Sequence, residues 1–520
     1  MGRRRVSSPL LISNPETIAS LQSSNIESNF SKEDKELGSK PPLRTFLSMS
    51  VGPLISQLVQ AVYGIADSLW VASTIGSEGI SVFGAVFIVE FLAIAVSNFL
   101  CIGLAIRVSY LYGEARGEEV PQLYIDYIRC CVILGIIVPC IILPITRPLV
   151  EWFGASKHLS LMCLQYMIPI TAACFFKFLY MMNCGLLQAQ GRSFLYGAIQ
   201  IGALVVNMCV FDPIFLKVLR LPIWGDSLAR IISEAIPGIV LTFLVFLGKF
   251  TIKVEPKMFL NRFSKETWPA FKVGFATFVS LVSYSIPLVL MQKFVNEAAI
   301  SMGVYDDVIE VWSVNEKLYQ IVGGSCDALA LGLLPCASYA YGSGRMNRLL
   351  KLFLHSLWVS TLLAVTFSVI LIFFPSEIAS LWSKDPQFLY WAKQMIPKTF
   401  YLAPFIAYQY CVPALLQSLQ KIVASTVLSI TTQLLPLPVF STVLYFTNKH
   451  DPARILYSYA LGDAFAFILC TAFLIKPLRV LLKAKKDEEL DDSIALTHKS
   501  QSDTALLYTI GSDSRSKIWQ

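Results

Sequence analysis

Polar and apolar positions alternate along this chain in blocks, not residue by residue. Twelve apolar runs stand out, at roughly 45–73, 80–110, 124–147, 160–187, 193–218, 226–248, 267–295, 309–340, 350–374, 389–417, 422–446 and 454–477. A run of about 20 apolar residues crosses a bilayer as a helix, because lipid offers no partner to an unpaired backbone group. The pattern therefore predicts an all-α membrane protein with twelve spanning helices.

The pattern also occurs twice. Ser109-Tyr110-Leu111-Tyr112-Gly113 returns 229 residues later as Ser338-Tyr339-Ala340-Tyr341-Gly342. Gly103-Leu104 returns as Gly332-Leu333, and Leu186-Leu187-Gln188 as Leu415-Leu416-Gln417, at the same offset. Met167-Ile168-Pro169 matches Met395-Ile396-Pro397 at 228, and Glu234-Ala235 aligns with Asp463-Ala464 at 229. Five matches in one order imply an internal duplication. Twelve spans in two copies give two parallel six-helix repeats, with a central cleft between them as in secondary transporters. The expected division is a disordered cytoplasmic tail over 1–42, a first bundle over 43–248, a cytoplasmic linker over 249–266, a second bundle over 267–480, and a second disordered tail over 481–520.

Composition agrees. Of 520 residues, 55% are hydrophobic and 15% charged, against about 25% charged in soluble domains, and the mean hydropathy is +0.61. The first 40 residues hold no apolar stretch like a signal peptide, so the first span is expected to direct insertion. Lys and Arg gather in the connections after even-numbered spans, including Arg116, Arg192, Lys257, Arg345 and Lys421, while the loop after the seventh span holds Glu297, Asp307 and Glu310. By the positive-inside rule both termini are cytoplasmic. The net charge of +7 thus reports topology, and nothing suggests a nucleic-acid partner. The twelve cysteines show no metal spacing and read as small apolar side chains.

Ionisable groups inside spans are costly, so each is a functional hypothesis. Those deep in spans are Asp67, Glu90, Lys177, Asp212, Glu234, Asp327 and Asp463. Gln57, Gln60, Tyr63 and Asp67 fall within about a third of one helix circumference. Such a stripe either glues helices together or carries an ion. Asp212 precedes Pro213, which removes a backbone donor and weakens the helix there. Two carboxylates in one low-dielectric cavity cannot both ionise cheaply, so one would hold a proton. The aromatic and polar residues Tyr63, Tyr284, Trp312, Asn315 and Tyr319 are candidates for lining the cleft, although aromatic side chains in membrane helices more often serve packing.

The first span, Pro53 to Ala72, and the following Gly76-Ser-Glu-Gly79-Ile80 resemble the multidrug and toxic compound extrusion (MATE) family. So do Leu187-Gln-Ala-Gln-Gly191-Arg192, Asp212-Pro-Ile-Phe215 and Gly225-Asp-Ser-Leu-Ala-Arg-Ile-Ile-Ser-Glu234. The similarity spans roughly 42–477. It implies a secondary antiporter that exports organic, often cationic, solutes as H⁺ or Na⁺ enters, with no other cofactor and a small organic solute and membrane lipid as partners. In the branch that couples through its first half, the coupling carboxylates match Asp67 and Asp212, with Asn207 and Gln60 as neutral ligands. Asn207 departs from the pattern, standing five residues before the aspartate where the family has four. Tyr284 stands where another branch has a seventh-helix glutamate, and Ile406 near a missing tenth-helix carboxylate, which favours first-half coupling. Asp327, at the repeat offset from Asn98, is the second-half alternative. The spacing of Asn207 makes a sodium cage harder to build, so H⁺ is expected. A monomer is expected, in the plasma membrane or an endolysosomal or vacuolar membrane of a eukaryote.

Other classes fit less well. A major-facilitator transporter shares the six-plus-six plan, but Gly113-Glu-Ala-Arg-Gly-Glu-Glu-Val-Pro121 matches its loop signature poorly. A lipid or oligosaccharide flippase needs a broad basic cleft, for which only Arg107, Lys177 and Arg230 are available. An intramembrane enzyme needs buried nucleophile, dyad or metal arrangements, and histidine is nearly absent from the spans. A channel needs a filter or pore loop, and none is visible.

Overall fold

The computed structural model describes residues 34–152 and 156–516. No strand occurs among them. The first half comprises α1 (Pro42–Thr74), α2 (Ser77–Gly113), α3 (Val120–Trp152), α4 in two pieces (Lys157–Ala172 and Cys174–Ala189), α5 (Ser193–Val218) and α6 (Trp224–Phe246). The second comprises α7 (Thr267–Met302), α8 (Tyr305–Gly342), α9 (Met346–Phe373), α10 in two pieces (Pro386–Phe400 and Ala403–Ser418), α11 (Ile422–Thr447) and α12 (Tyr457–Ser516). Among the described residues, ten helices are long and apolar enough to span a bilayer, or twelve when each bent pair counts as one span. Ile133, Ile136, Ile141, Val439 and Val443 are exposed on them, as a lipid-facing surface requires.

The duplication is visible in the bends. α4 turns by 52° at Ala173 and α10 by 41° between Phe400 and Ala403. The repeated Met-Ile-Pro precedes each bend. Pro169 and Pro397 donate no backbone hydrogen bond and crowd the preceding turn, a common cause of kinks.

The halves pack through glycines that are themselves repeat mates. A Cβ on Gly113 would run into the backbone of Tyr339 and Gly342, and one on Gly342 into the backbone of Tyr110. Gly103 of α2 faces Ala270 and Gly274 of α7, while Gly332 of α8 faces Ser50 of α1. Each half therefore lays its second helix against the other half's first helix. Removing side chains there lets the backbones approach, which is how helices associate where lipid is as apolar as leucine. The ring centroids of Tyr110 and Tyr341 lie 5.9 Å apart beside the Gly113 contact. At the opposite end, Gly64 and Gly84 have nothing within 4 Å of a would-be side chain. The backbone contacts close the cleft at the end that carries α1's start.

Two segments differ from expectation. The N-terminal tail was expected to be disordered through residue 42, but Asp34–Ser39 form a helical turn with Leu37 fully buried. Hydrogen bonds from the second half hold this turn, an interaction no local pattern signals. Residues 1–33 of that tail lie outside the described residues. The charged, Ser/Thr-rich tail over 481–520 is expected to be disordered, yet α12 continues through it to Ser516. Residues 483–510 contain neither glycine nor proline, and their many Lys, Glu, Ala and Leu residues favour helix.

Replacing Gly113 or Gly342 with Leu should cost about 1–3 kcal/mol of stability by overpacking, to a similar extent at both sites. Gly84→Leu, with open space beside it, should leave thermal unfolding in detergent nearly unchanged.

Candidate functional site

Within the first half, α1, α2, α5 and α6 deliver charged side chains to one place, toward the end remote from Gly113. Asp67 lies seven residues before the end of α1, and Asp226 in the first turn of α6. One oxygen each of Asp67, Asp212 and Asp226 lie within 4.8 Å of one another. All three residues are at most 3% exposed.

The route that brings Asp212 there is a local change of helix type. Residues Asn207–Phe211 form a π-helical segment, in which the Asp212 N–H donates to the Asn207 carbonyl five residues back. A second π segment, Pro213–Val218, follows the aspartate. In a π turn, residues five apart share a face. The Asn207 amide therefore donates to both Asp212 oxygens at 3.0 Å and to the Tyr63 hydroxyl at 2.8 Å. The extra residue between Asn207 and Asp212 thus does not separate them.

Arg230 supplies the counter-charge. Its guanidinium pairs with Glu90 of α2, lies 3.6 Å from Asp67, and sits over the Tyr63 ring at 5.6 Å. Two carboxylates thus flank the guanidinium, and Asp212 and Asp226 stand close enough to feel its charge. Oδ1 of Asp67, of Asp226 and of Asn207 have no hydrogen-bond partner. Buried oxygens without donors are costly. The carboxyls of Asp67 and Asp226 lie within hydrogen-bonding reach of each other, so one proton between them would satisfy both. A metal ion could alternatively draw on Asp67, Asp212, Asp226 and the side-chain oxygen of Asn207.

Of the residues expected at the site, Asp67, Asp212, Asn207 and Tyr63 come together. Gln60 does not: its side chain is exposed. It lies at the uncovered edge of the stripe next to Gly64, while Gln57 reaches across to Gly324 of α8. Sequence reasoning missed the roles of Asp226 and Arg230. The signal was present as charges at 226, 230 and 234, four residues apart on one face of α6. The third, Glu234, pairs with Lys177 at 3.6 Å.

The other expected residues lie in the second half. Trp312, Asn315 and Tyr319 are buried on α8, and Tyr284 faces Phe91 of the first half at 6.5 Å between centroids. Asp327 is half-buried on α8, close enough to interact electrostatically with Tyr196 and Tyr410. The repeat mates of Glu90 and Arg230 are Tyr319 and Tyr459. The ion pair of the first half is thus replaced by two rings 4.5 Å apart. Tyr459 donates to Glu316, and Tyr319 to Asp463 at 3.4 Å.

The MatE family model matches residues 53–213 and 312–441, one stretch in each half and more than half of the chain together. The chain belongs to the MatE family. It is a secondary transporter and not an enzyme. Among solved structures, an outward-facing multidrug resistance MATE transporter of the MOP superfamily matches with a TM-score of 0.77 at 20% identity, over 88% of this chain and all of that one. A MATE transporter in complex with MaD3S matches at 0.78 and 18%, over 88% of this chain and 99% of that one. A MOP superfamily transporter from Pyrococcus furiosus, described as having a binding pocket of reversed polarity, matches at 0.77 and 19%, again over 88% and 99%. At these identities the likeness concerns the fold. Comparison with curated proteins returned no match.

Arg230→Gln would leave Glu90 and Asp67 buried without their counter-charge. Breaking a buried pair from one side costs about 3–5 kcal/mol, so thermal unfolding should shift down markedly. Adding Glu90→Gln should recover part of that loss, and a double-mutant cycle in detergent measures the coupling.

Proposed function

We propose that this MatE-family transporter exports small organic solutes, cationic ones among them, in exchange for protons bound at Asp67, Asp212 and Asp226. The observation that carries the reading is the set of donorless oxygens on Asp67, Asp226 and Asn207, buried in an apolar bundle beside an excess of negative charge. Such a site attracts a positive charge whenever the cleft admits one, and must release it to return. Binding and release at one place, reached from alternate sides, is what exchange transport requires.

Two features favour the proton over sodium. The Asp67 and Asp226 carboxyls can share a proton directly. The Arg230 guanidinium, 3.6 Å from Asp67, places positive charge where a metal ion would need its absence. The argument from the spacing of Asn207 is set aside, because the π turn restores that contact. The flippase alternative loses its basic cleft: Arg107 pairs with Glu266, Lys177 with Glu234, and Arg230 with Glu90. We further infer a monomer with both termini cytoplasmic, from the Lys and Arg in the connecting loops. The membrane is the plasma membrane or an endolysosomal or vacuolar membrane of a eukaryotic cell.

The test is purified protein in liposomes loaded with a fluorescent organic cation, with proton and sodium gradients imposed separately. Efflux driven by ΔpH without sodium supports the proposal. Efflux driven by sodium alone at equal pH overturns the ion assignment and leaves exchange intact. Asp67→Asn should reduce gradient-driven efflux to the rate of empty liposomes while the protein stays folded. If that variant transports at the wild-type rate, coupling lies elsewhere, and Asp327→Asn is the next variant to measure.

A further inference from the structure

The closed end of the cleft carries two clamps made from equivalent parts of the two halves. Arg116 and Arg345 are repeat mates, 229 residues apart, each three residues beyond the glycine at which the halves touch. The turn between is also duplicated: Ala115 and Gly344 both have positive φ, 59° and 72°.

In the first clamp, Arg107 of α2 and Arg116 reach out of the first half to Glu266, the residue just before α7. Arg107 Nε donates to Glu266 at 2.7 Å, and Arg116 does so at 2.7 Å from the other side. Arg107 also reaches Gln420, between α10 and α11. Burial opposes the charge on Glu266, but the two guanidinium groups outweigh it and hold its carboxyl below the usual range. It therefore stays ionised at neutral pH.

In the second clamp, Arg345 and Arg348 reach out of the second half to the residues just before α1 and in its first turn. Arg348 donates to the Leu37 and Lys40 carbonyls at 2.7 Å each, and to the Thr45 hydroxyl at 2.9 Å. Arg345 donates to the Gly38 carbonyl at 3.1 Å and pairs with Asp34 at 3.4 Å, while Tyr339 also donates to Asp34. Leu37 stands at the repeat offset from Glu266. It packs toward Gly191, the mate of Gln420. Each half thus grips the lead-in to the other half's first helix, at equivalent positions. One grip is charge on charge and the other is mainly charge on backbone.

We propose that these clamps are a coupled pair of latches that hold the termini end of the cleft shut and release together when that end opens. The coupling follows from geometry. Each latch ties the same two bodies at the same end, on opposite sides of the Gly113–Gly342 contact. Loosening one therefore lets the bodies separate and strains the other. The segment Asp34–Ser39 becomes a working part of the transporter. This inference does not depend on which ion is coupled.

Hydrogen exchange of the full-length protein in nanodiscs tests it, with Glu266→Gln and Arg348→Gln measured separately. Either variant should speed exchange at least tenfold in both amide segments, 37–45 and 262–270, although neither substituted residue touches the far segment. Glu266→Asp, which keeps the charge, should stay near the wild-type rate in both and shows that the fold tolerates a change there. Acceleration confined to the segment next to each substitution would overturn the coupling and leave two independent struts.

Discussion

The approach of backbone to backbone at Gly113 and Gly342 is the contact on which the arrangement turns. In lipid, apolar side chains gain nothing by leaving their surroundings for another helix, so association depends on close packing and on polar contacts. The glycines at 103, 332, 113 and 342 give that closeness, and they do so in reciprocal pairs. Because each half's second helix rests on the other half's first, the two bundles are joined along crossed seams and not across a flat face. The ion pairs at the closed end stand just beyond those seams. Toward the other end, Gly64 and Gly84 stand beside open space.

The two halves share this frame and differ in what they bury. In the first, Glu90 and Arg230 form an ion pair beside three aspartates. In the second, the same two positions are Tyr319 and Tyr459, whose hydroxyls serve Asp463 and Glu316. A charge at membrane depth is tolerated only with a partner, and the two halves meet that demand differently. One uses a guanidinium and carries an excess of carboxylate oxygens without donors. The other sets a phenol against each of two carboxyls, and Asp463 Oδ2 still lacks a partner. The Ser441 side chain stands where the second half would carry the mate of Asp212. Among the described residues, the carboxylate cluster thus belongs to the first half alone, while the glycine seams and the paired helix bends follow from symmetry itself.

The sequence by itself determined a good deal. The long apolar runs counted out the twelve spans, because the cost of an unpaired backbone group in lipid leaves only helices of that length. The constant offset of 229 revealed the duplication, and the repeated Met-Ile-Pro carried both helix bends. Asp67 and Asp212 were legible as candidates because a carboxylate in an apolar run has no bland alternative at low cost. Tertiary structure alone decided what those groups meet. Periodicity places Gln60 and Tyr63 on one stripe, but only packing shows that one is uncovered and the other buried. Spacing set Asn207 one residue out of register, and only the π turn returned it to Asp212. The pairing of Arg230 with Glu90 spans 140 residues, and that of Arg348 with Leu37 spans 311. Local patterns encode propensity and burial over a few turns of helix. They carry no record of which distant charge will stand within three or four ångströms, and in a low-dielectric interior that distance decides which groups hold the fold and which stay without a partner.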